Sequence, residues 1–167
     1  LPITGDADIG ISSSKTYTHA LDFGNGDSGA VVGGVPFTKV TGTNIATIPN
    51  FTWTVSSGST TTSGVSSGSN VTGGAVELFQ DYISNAINAA NGTATITLSN
   101  LVVGAHYDTR IYVRQLAAGT RNATIQLEST GGGAAEATTT INEENAAASP
   151  PGFAAANQAY AISYDFV

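Results

Sequence analysis

The stretch that decides the predicted fold is LVVGAHYDTRIYVR, from Leu101 to Arg114. After its turn glycine, the stretch alternates in character from one residue to the next. Because side chains of a β-strand alternate between the two faces of a sheet, this pattern predicts a central strand with two different faces. One face carries Tyr107, Thr109, Ile111 and Val113, and the other carries Asp108, Arg110, Tyr112 and Arg114.

The beginning of this stretch resembles the tyrosine corner of Greek-key β-sandwiches. Leu101, Gly104 and Tyr107 form the pattern L-x-x-G-x-x-Y just before the strand. In such a corner the tyrosine ring packs in the core, and its hydroxyl bonds to backbone a few residues upstream. The alternative is an ordinary hairpin turn followed by an amphipathic strand.

The composition limits the classes of function. Only 10% of the 167 residues are charged, the net charge is −7, and five Lys and Arg residues are too few for a basic groove. We therefore expect neither nucleic acid nor an anionic membrane surface as a partner. No apolar run approaches the roughly 18 residues of a spanning helix, so we expect no membrane insertion. The absence of cysteine removes disulfides, thiol catalysis and Cys-based zinc sites.

Short alternating segments separated by turn residues make up most of the sequence. They predict about seven to nine strands and one helix. We therefore expect an all-β fold, an antiparallel β-sandwich or jelly roll, in a single domain covering residues 1–167. Residues 1–10 form an extended N-terminal segment in this interpretation.

Two segments depart from the strand pattern. Residues 56–74 are rich in Ser, Thr and Gly and predict a mobile loop, with a Thr-rich edge strand near Thr60–Thr62 as the alternative. Residues 75–90 predict a helix, because large apolar residues recur at helical spacing and Asn91-Gly92 follows as a stop signal. These apolar residues are Val76, Phe79, Ile83 and Ile87.

Several short motifs follow one another in a distinctive order. They are Ile11-Ser12-Ser13, YTHALDFG from Tyr17 to Gly24, Gly34-Val35-Pro36-Phe37, Leu101 to Arg114 with Arg121, and YAISYDF from Tyr160 to Phe166. Their order and spacing resemble a poorly characterised β-sandwich module of large exported bacterial proteins of the planctomycete and verrucomicrobial type. The resemblance implies an extracellular, cell-surface or polysaccharide-associated role and supplies no agreed catalytic residues.

The sequence departs from that module at its end. In the module another apolar strand follows the Y-x-F strand, whereas this sequence stops at Val167; it also begins at Leu1 and has no methionine, as in a processed or excised chain. A missing strand predicts one borrowed from a neighbour, as in donor-strand complementation. The alternative is a trimmed chain whose ends pack on their own sheet. The residues expected to mediate assembly are Leu1, Pro2, Ile3, Ile9, Ile11, Ile162, Tyr164 and Phe166.

The glycine-rich turn DFGNGDSG is the best candidate metal site. Asp22, Asn25 and Asp27 place hard oxygen ligands on this turn, which suits calcium, and Asp6 and Asp8 could approach them. The spacing is not that of an EF-hand, and Asp and Asn also occur in turns for backbone reasons. We expect no cofactor other than calcium.

The arginines of the deciding stretch give a candidate ligand site. Arg110, Tyr112 and Arg114 would form a planar stripe on the outer face of the strand, able to stack on sugar or to bind an acidic polysaccharide bidentately. The alternative is that another layer or the helix covers this face, with the arginines paired to Glu77 or Asp81.

Catalysis is the least expected class of function. His19 shares a face with apolar residues, which is typical of a core histidine, and His106 lies in a turn. No G-x-S-x-G elbow and no distinct pair of acids for glycoside cleavage is present. The sequence therefore predicts a non-catalytic extracellular structural protein, a filament or matrix subunit that pairs with copies of itself through β-strands. The alternative is a carbohydrate-binding module of an exported, polysaccharide-associated protein.

Overall fold

The computed structural model describes residues 2–25, 28–56, 59–64, 70–86, 93–114, 122–129, 133–142 and 159–167. Strands make up 45% of the structure, which confirms the all-β prediction, whereas the sandwich or jelly-roll arrangement stays a prediction. The strands are β1 Pro2–Ile3, β2 Leu21–Phe23, β3 Val31–Val32, β4 Val35–Pro36, β5 Thr38–Val40, β6 Phe51–Val55, β7 Ser59–Gly64, β8 Asp81–Ala86, β9 Ala94–Leu98, β10 Tyr107–Arg114, β11 Asn122–Leu127, β12 Ala137–Asn142 and β13 Ala159–Phe166. The helices are α1 Asp6–Ile9 and two 3-10 helices, Ile45–Thr47 and Gly73–Phe79.

The largest described sheet has the strand order β1-β13-β10. β10 and β13 pair antiparallel over eight residues, from Tyr107 opposite Phe166 to Arg114 opposite Ala159. β1 pairs with the other edge of β13, where Ile3 lies opposite Ala159. The strand predicted from the deciding stretch is therefore present, but β13 takes the central position among the described strands.

The remaining described strands form two-stranded pairs. Antiparallel pairs join β3 to β4, β6 to β9, β7 to β8 and β11 to β12. The pair β2–β5 is parallel, and its register places Asp22 directly beside Lys39. This register brings together a carboxylate and an amine that are distant in the sequence.

The hydrogen bond expected of a tyrosine corner is present at the start of β10. The Val102 N–H donates to the Tyr107 hydroxyl at 2.7 Å, as the L-x-x-G-x-x-Y pattern predicts. The Tyr107 ring is half-buried and stacks on Phe166, with 5.4 Å between ring centroids. A second turn of the same span occurs near the N-terminus, where the Tyr17 hydroxyl accepts from the Ser12 N–H at 2.8 Å. Both tyrosines therefore hold the turn that precedes them.

The helix predicted over residues 75–90 is wrong. Gly73–Phe79 forms a 3-10 helix, and Asp81–Ala86 forms strand β8, while residues 87–90 lie outside the described part. The reason is tertiary: β8 pairs with β7, so inter-strand backbone bonds outweigh a local helical pattern. The loop predicted over residues 56–74 is wrong for the same reason at Ser59–Gly64, where the alternative, a Thr-rich edge strand, is correct.

The N-terminal segment is part of the core. We call Pro2–Ile9 the N-terminal plug. The sequence predicts an extended segment here, and this is wrong in part. α1 forms one helical turn that ends at Gly10 in the left-handed conformation. Ile3 and Ile9 are completely buried in the main apolar cluster. The other buried members of that cluster are Ala30, Val32, Val35, Phe37, Val71, Ala75, Phe79 and Ala159.

Truncation of the plug's buried side chain tests this packing. We expect Ile9→Ala to lower the free energy of unfolding by about 2–5 kcal/mol, because it leaves a cavity at a fully buried position. Val103→Ala, at a fully exposed turn position, is the control and should change stability by no more than about 0.5 kcal/mol. Urea unfolding followed by Trp53 fluorescence measures both. Equal midpoints for the two variants would contradict the buried position of the plug.

Candidate functional site

The plug is held by parts of the chain that lie far away in the sequence. Its first residues pair with the start of β13, and the Thr72 N–H donates to the Thr4 carbonyl at 2.9 Å. The Asp6 carboxylate accepts from the N–H groups of Gly74, at 3.1 Å, and Ala75, at 2.7 Å. Asp6 thus supplies the acceptors that the first turn of the 3-10 helix Gly73–Phe79 lacks within itself.

The Ile9 carbonyl is the point at which the plug meets β10. Arg110 donates to it through Nη1 at 3.1 Å, and the Tyr112 hydroxyl donates to it at 2.9 Å. The approach of Arg110 needs a glycine at position 10, because a Cβ there would lie 1.8 Å from Nη1 and the backbone has φ +72°. Two side chains of β10 therefore bind one backbone oxygen of the plug.

The predicted ligand stripe is not an open outer face. Arg110 and Tyr112 point at the plug, and Arg114 donates through Nη1 to the Phe79 carbonyl at 2.6 Å. Tyr112 also packs edge-on against the Phe79 ring at 6.2 Å. The stripe is therefore not an open face, and other elements cover it, as in the alternative. Arg110 pairs with Asp108, and the pairing of the arginines with Glu77 or Asp81 stays a prediction. Binding of sugar by these residues stays a prediction, without an open platform to support it.

The predicted calcium ligands include one buried carboxylate. Asp22 Oδ2 accepts from the Ala30 N–H at 3.0 Å and lies 3.4 Å from Lys39 Nζ. Burial raises the pKa of Asp22, although the Ala30 bond and the Lys39 charge act in the opposite direction. Asp27 lies outside the described residues, and Asn25 lies within them. Within the described part, no group of three acids or histidines could hold a metal ion, and calcium stays a prediction.

Asp6 and Asp8 of the plug have hydrogen-bond partners outside the glycine-rich turn at which the sequence predicts calcium. Asp6 binds the 3-10 helix, and Asp8 accepts from the Thr4 N–H at 2.8 Å and from the Thr4 hydroxyl at 2.7 Å. The hydrogen bonds from Thr4 lower the pKa of Asp8. Both carboxylates therefore stabilise the plug itself.

Lys39 is the residue that the sequence interpretation missed. Its Nζ lies 2.5 Å from Asp81 Oδ2 and 3.6 Å from Glu77 Oε1, in addition to Asp22. We call Lys39, Asp22, Glu77 and Asp81 the Lys39 cluster. A lone lysine in the short apolar strand before Val40 was the one local signal of this site.

The expected assembly residues of β13 lie on or beside a row of aromatic rings. Tyr164 stacks on Phe166 at 5.9 Å, and Phe166 stacks on Tyr107. The Tyr164 hydroxyl donates to Glu136 at 2.5 Å, and bonds from Ser129 and Tyr164 lower the pKa of Glu136. Of the other expected residues, Leu1 lies outside the described part; Ile11 and Ile162 are half-buried, and Pro2, Ile3 and Ile9 belong to the plug.

Neither histidine forms part of the sites described above. His19 is half-buried, and its Nε2 lies 3.0 Å from the Asn50 carbonyl oxygen. His106 is exposed in the turn before β10. Neither position brings a histidine to the Lys39 cluster or to the plug.

Comparison with known protein families, curated proteins and solved structures finds no match. The resemblance to the exported bacterial module therefore stays a prediction. Among the described residues, no helix has both the length and the apolar character needed to cross a bilayer.

The bond between Tyr112 and the plug predicts a pH dependence. Burial raises the pKa of Tyr112 from 10.0 to about 12, so the folded chain keeps a proton that the unfolded chain loses. Stability should therefore fall as the pH rises from 10 to about 12. Tyr112→Phe should cost about 1 kcal/mol at pH 7, through the lost bond to Ile9, and should remove this part of the alkaline loss. Urea unfolding at pH 7 and above pH 10 measures both effects. An equal loss of unfolding free energy above pH 10 in the unchanged chain and in Tyr112→Phe would contradict the bond assigned to Tyr112.

Proposed function

We propose that the chain is a non-catalytic structural subunit of an extracellular matrix or surface filament, and that subunits join by exchanging the N-terminal plug. In the assembly, the plug of one copy occupies the slot of the next. The slot consists of the start of β13, the 3-10 helix Gly73–Phe79, and Arg110 and Tyr112 of β10.

The hydrogen-bond partners of the plug are the observation that carries this proposal. Within the described part, hydrogen bonds join the plug to residues 72–75, to Arg110 and Tyr112, and to Ala159 and Tyr160 of β13. A plug from a second copy can make each of these bonds with the same geometry. Exchange of an identical element in this way is domain swapping, and it preserves the native contacts.

The link between the plug and the remainder of the chain suits exchange. Residues 10–16 contain no strand or helix, and Ser13 to Thr16 are exposed. Fully extended, these residues would span roughly 20 Å. The link can therefore carry the plug outward without disturbing a regular element, once the turn that Tyr17 holds at Ser12 and the bond from the Ser13 N–H to the Gly33 carbonyl have opened.

Unpaired strand edges and the composition support assembly outside the cell. Among the described strands, none pairs with the second edge of β10, and β1 covers only the first two residues of β13. Such edges accept further strands. A charge-poor surface rich in hydroxyls, with calcium or polysaccharide as optional partners, suits an extracellular matrix.

A disulfide between the plug and its slot tests the exchange. A Cβ at Gly5 would lie 3.2 Å from Thr72 Oγ1, where a cysteine sulfur would sit, and the backbone of Gly5 is extended. We expect the assembled Gly5→Cys/Thr72→Cys variant, once oxidised, to run as a ladder of covalent multimers on a denaturing gel without reductant. The chain has no other cysteine, so each linkage reports this contact.

The single variants Gly5→Cys and Thr72→Cys are the matched controls, because each can form dimers at most. An oxidised double variant that runs only as single chains, at concentrations at which the protein assembles, would contradict plug exchange. A clean monomer at high concentration would contradict the structural role as a whole.

A further inference from the structure

The Lys39 cluster surrounds one amine with three carboxyl groups. Lys39 Nζ lies 2.5 Å from Asp81 Oδ2, 3.4 Å from Asp22 Oδ2 and 3.6 Å from Glu77 Oε1. The exposed fraction of the side chain is 10% for Lys39, 0% for Asp22 and 7% for Asp81. Glu77, at 25%, is the most exposed of the four. β2, β5, the 3-10 helix Gly73–Phe79 and β8 therefore meet at a largely buried site.

An ion-pair network accounts poorly for this arrangement. Removing charges from water is costly unless each is paired and hydrogen-bonded, and three carboxyl groups here lie within 3.6 Å of one amine. Asp22 Oδ1 is buried and has no hydrogen-bond partner. Burial also raises the pKa of Asp22, so this carboxyl holds a proton more readily than an exposed aspartate. The cluster contains an amine, a close carboxyl group and a second acid able to carry a proton.

We propose that Lys39 and Asp81 form an intramolecular isopeptide bond, with Asp22 relaying the proton. The neutral Nζ amine attacks Asp81 Cγ, the Nζ–Cγ bond forms, and a C–O bond of the Asp81 carboxylic acid breaks. Asp22 takes a proton from the nitrogen and delivers one to the leaving oxygen, which departs as water. The products are one amide and one water molecule, so the reaction needs no oxidant, reductant or other reactant.

The geometry places the reacting atoms together before the bond forms. Since a carboxyl C–O bond is about 1.2 Å long, Nζ lies at most about 3.7 Å from Asp81 Cγ. This is close to the separation of about 3–3.5 Å from which well-oriented groups react. Gly24 permits the position of Asp81, because a Cβ at Gly24 would lie 1.9 Å from Asp81 Cβ. Transfer of one proton along the Nζ–Oδ2 contact would give the neutral amine and the carboxylic acid that the reaction requires.

The bond would link β5 covalently to β8 in a chain that has no cysteine. Like a disulfide, it would restrict the unfolded chain by closing the loop from residue 39 to residue 81. A subunit exposed to extension or proteases outside a cell gains resistance from such a link. The inference is independent of plug exchange, since every residue involved lies outside the plug.

Mass spectrometry of the intact, purified chain tests the bond. We expect a mass lower than the sequence mass by one water molecule. After denaturation, trypsin should leave residues 16–110 as one peptide, because acylated Lys39 is no longer a cleavage site, and its fragments should place the link between Lys39 and Asp81. The full sequence mass with cleavage after Lys39 would overturn the proposal. Loss of water at any other position, with Lys39 still cleaved, would overturn it equally.

Three variants assign the roles. Lys39→Arg keeps the positive charge and should show the full mass. Asp22→Asn keeps the size of the side chain but cannot relay a proton, so the linked fraction should form about 100-fold more slowly or not at all. Glu77→Gln, the matched control, should retain the bond. Circular dichroism establishes that each variant is folded. Normal linkage in Asp22→Asn, or loss of the bond in Glu77→Gln alone, would overturn the role given to Asp22.

Discussion

The structure depends on the binding of the plug through the Ile9 carbonyl. This oxygen accepts from both Arg110 and Tyr112, while the Ile9 side chain is completely buried in the main apolar cluster. A hydrogen bond from a charged donor is stronger than one between neutral groups, and a buried carbonyl without partners would be costly. The first residues of the chain therefore form part of the interior, and Arg110 and Tyr112 of β10 face them.

The 3-10 helix Gly73–Phe79 connects the plug with the Lys39 cluster. Asp6 binds its first N–H groups, Arg114 binds the carbonyl of Phe79, and Glu77 faces Lys39. The described sheets are small, since one has three strands and the others have two. Side-chain bonds to this helix thus hold together strands that no shared sheet joins. Exchange of the plug, as proposed, would leave each slot intact.

The local parts of the structure were predictable from the sequence, whereas the partners across the chain were not. The alternation in β10 and β13 predicts both strands, and the pattern ending at Tyr107 predicts its bond to the backbone, because each signal lies within a few residues. Alternation assigns the residues of a strand to two faces, but it does not indicate which face is buried. Because arginine is mostly exposed, the sequence places the stripe from Arg110 to Arg114 on the outside. Its carbonyl partners, and the acids around Lys39, are brought together only by the folded chain.

Hydrogen–deuterium exchange on the full chain tests the central claim most directly. The amides of Thr72 and Ala75 donate to the plug, at the Thr4 carbonyl and the Asp6 carboxylate. The account predicts that both amides exchange far more slowly than unbonded, exposed amides, because they open only when the plug leaves its slot. Fast exchange at Thr72 and Ala75, at the rate of an unstructured peptide while β10 stays protected, would contradict it.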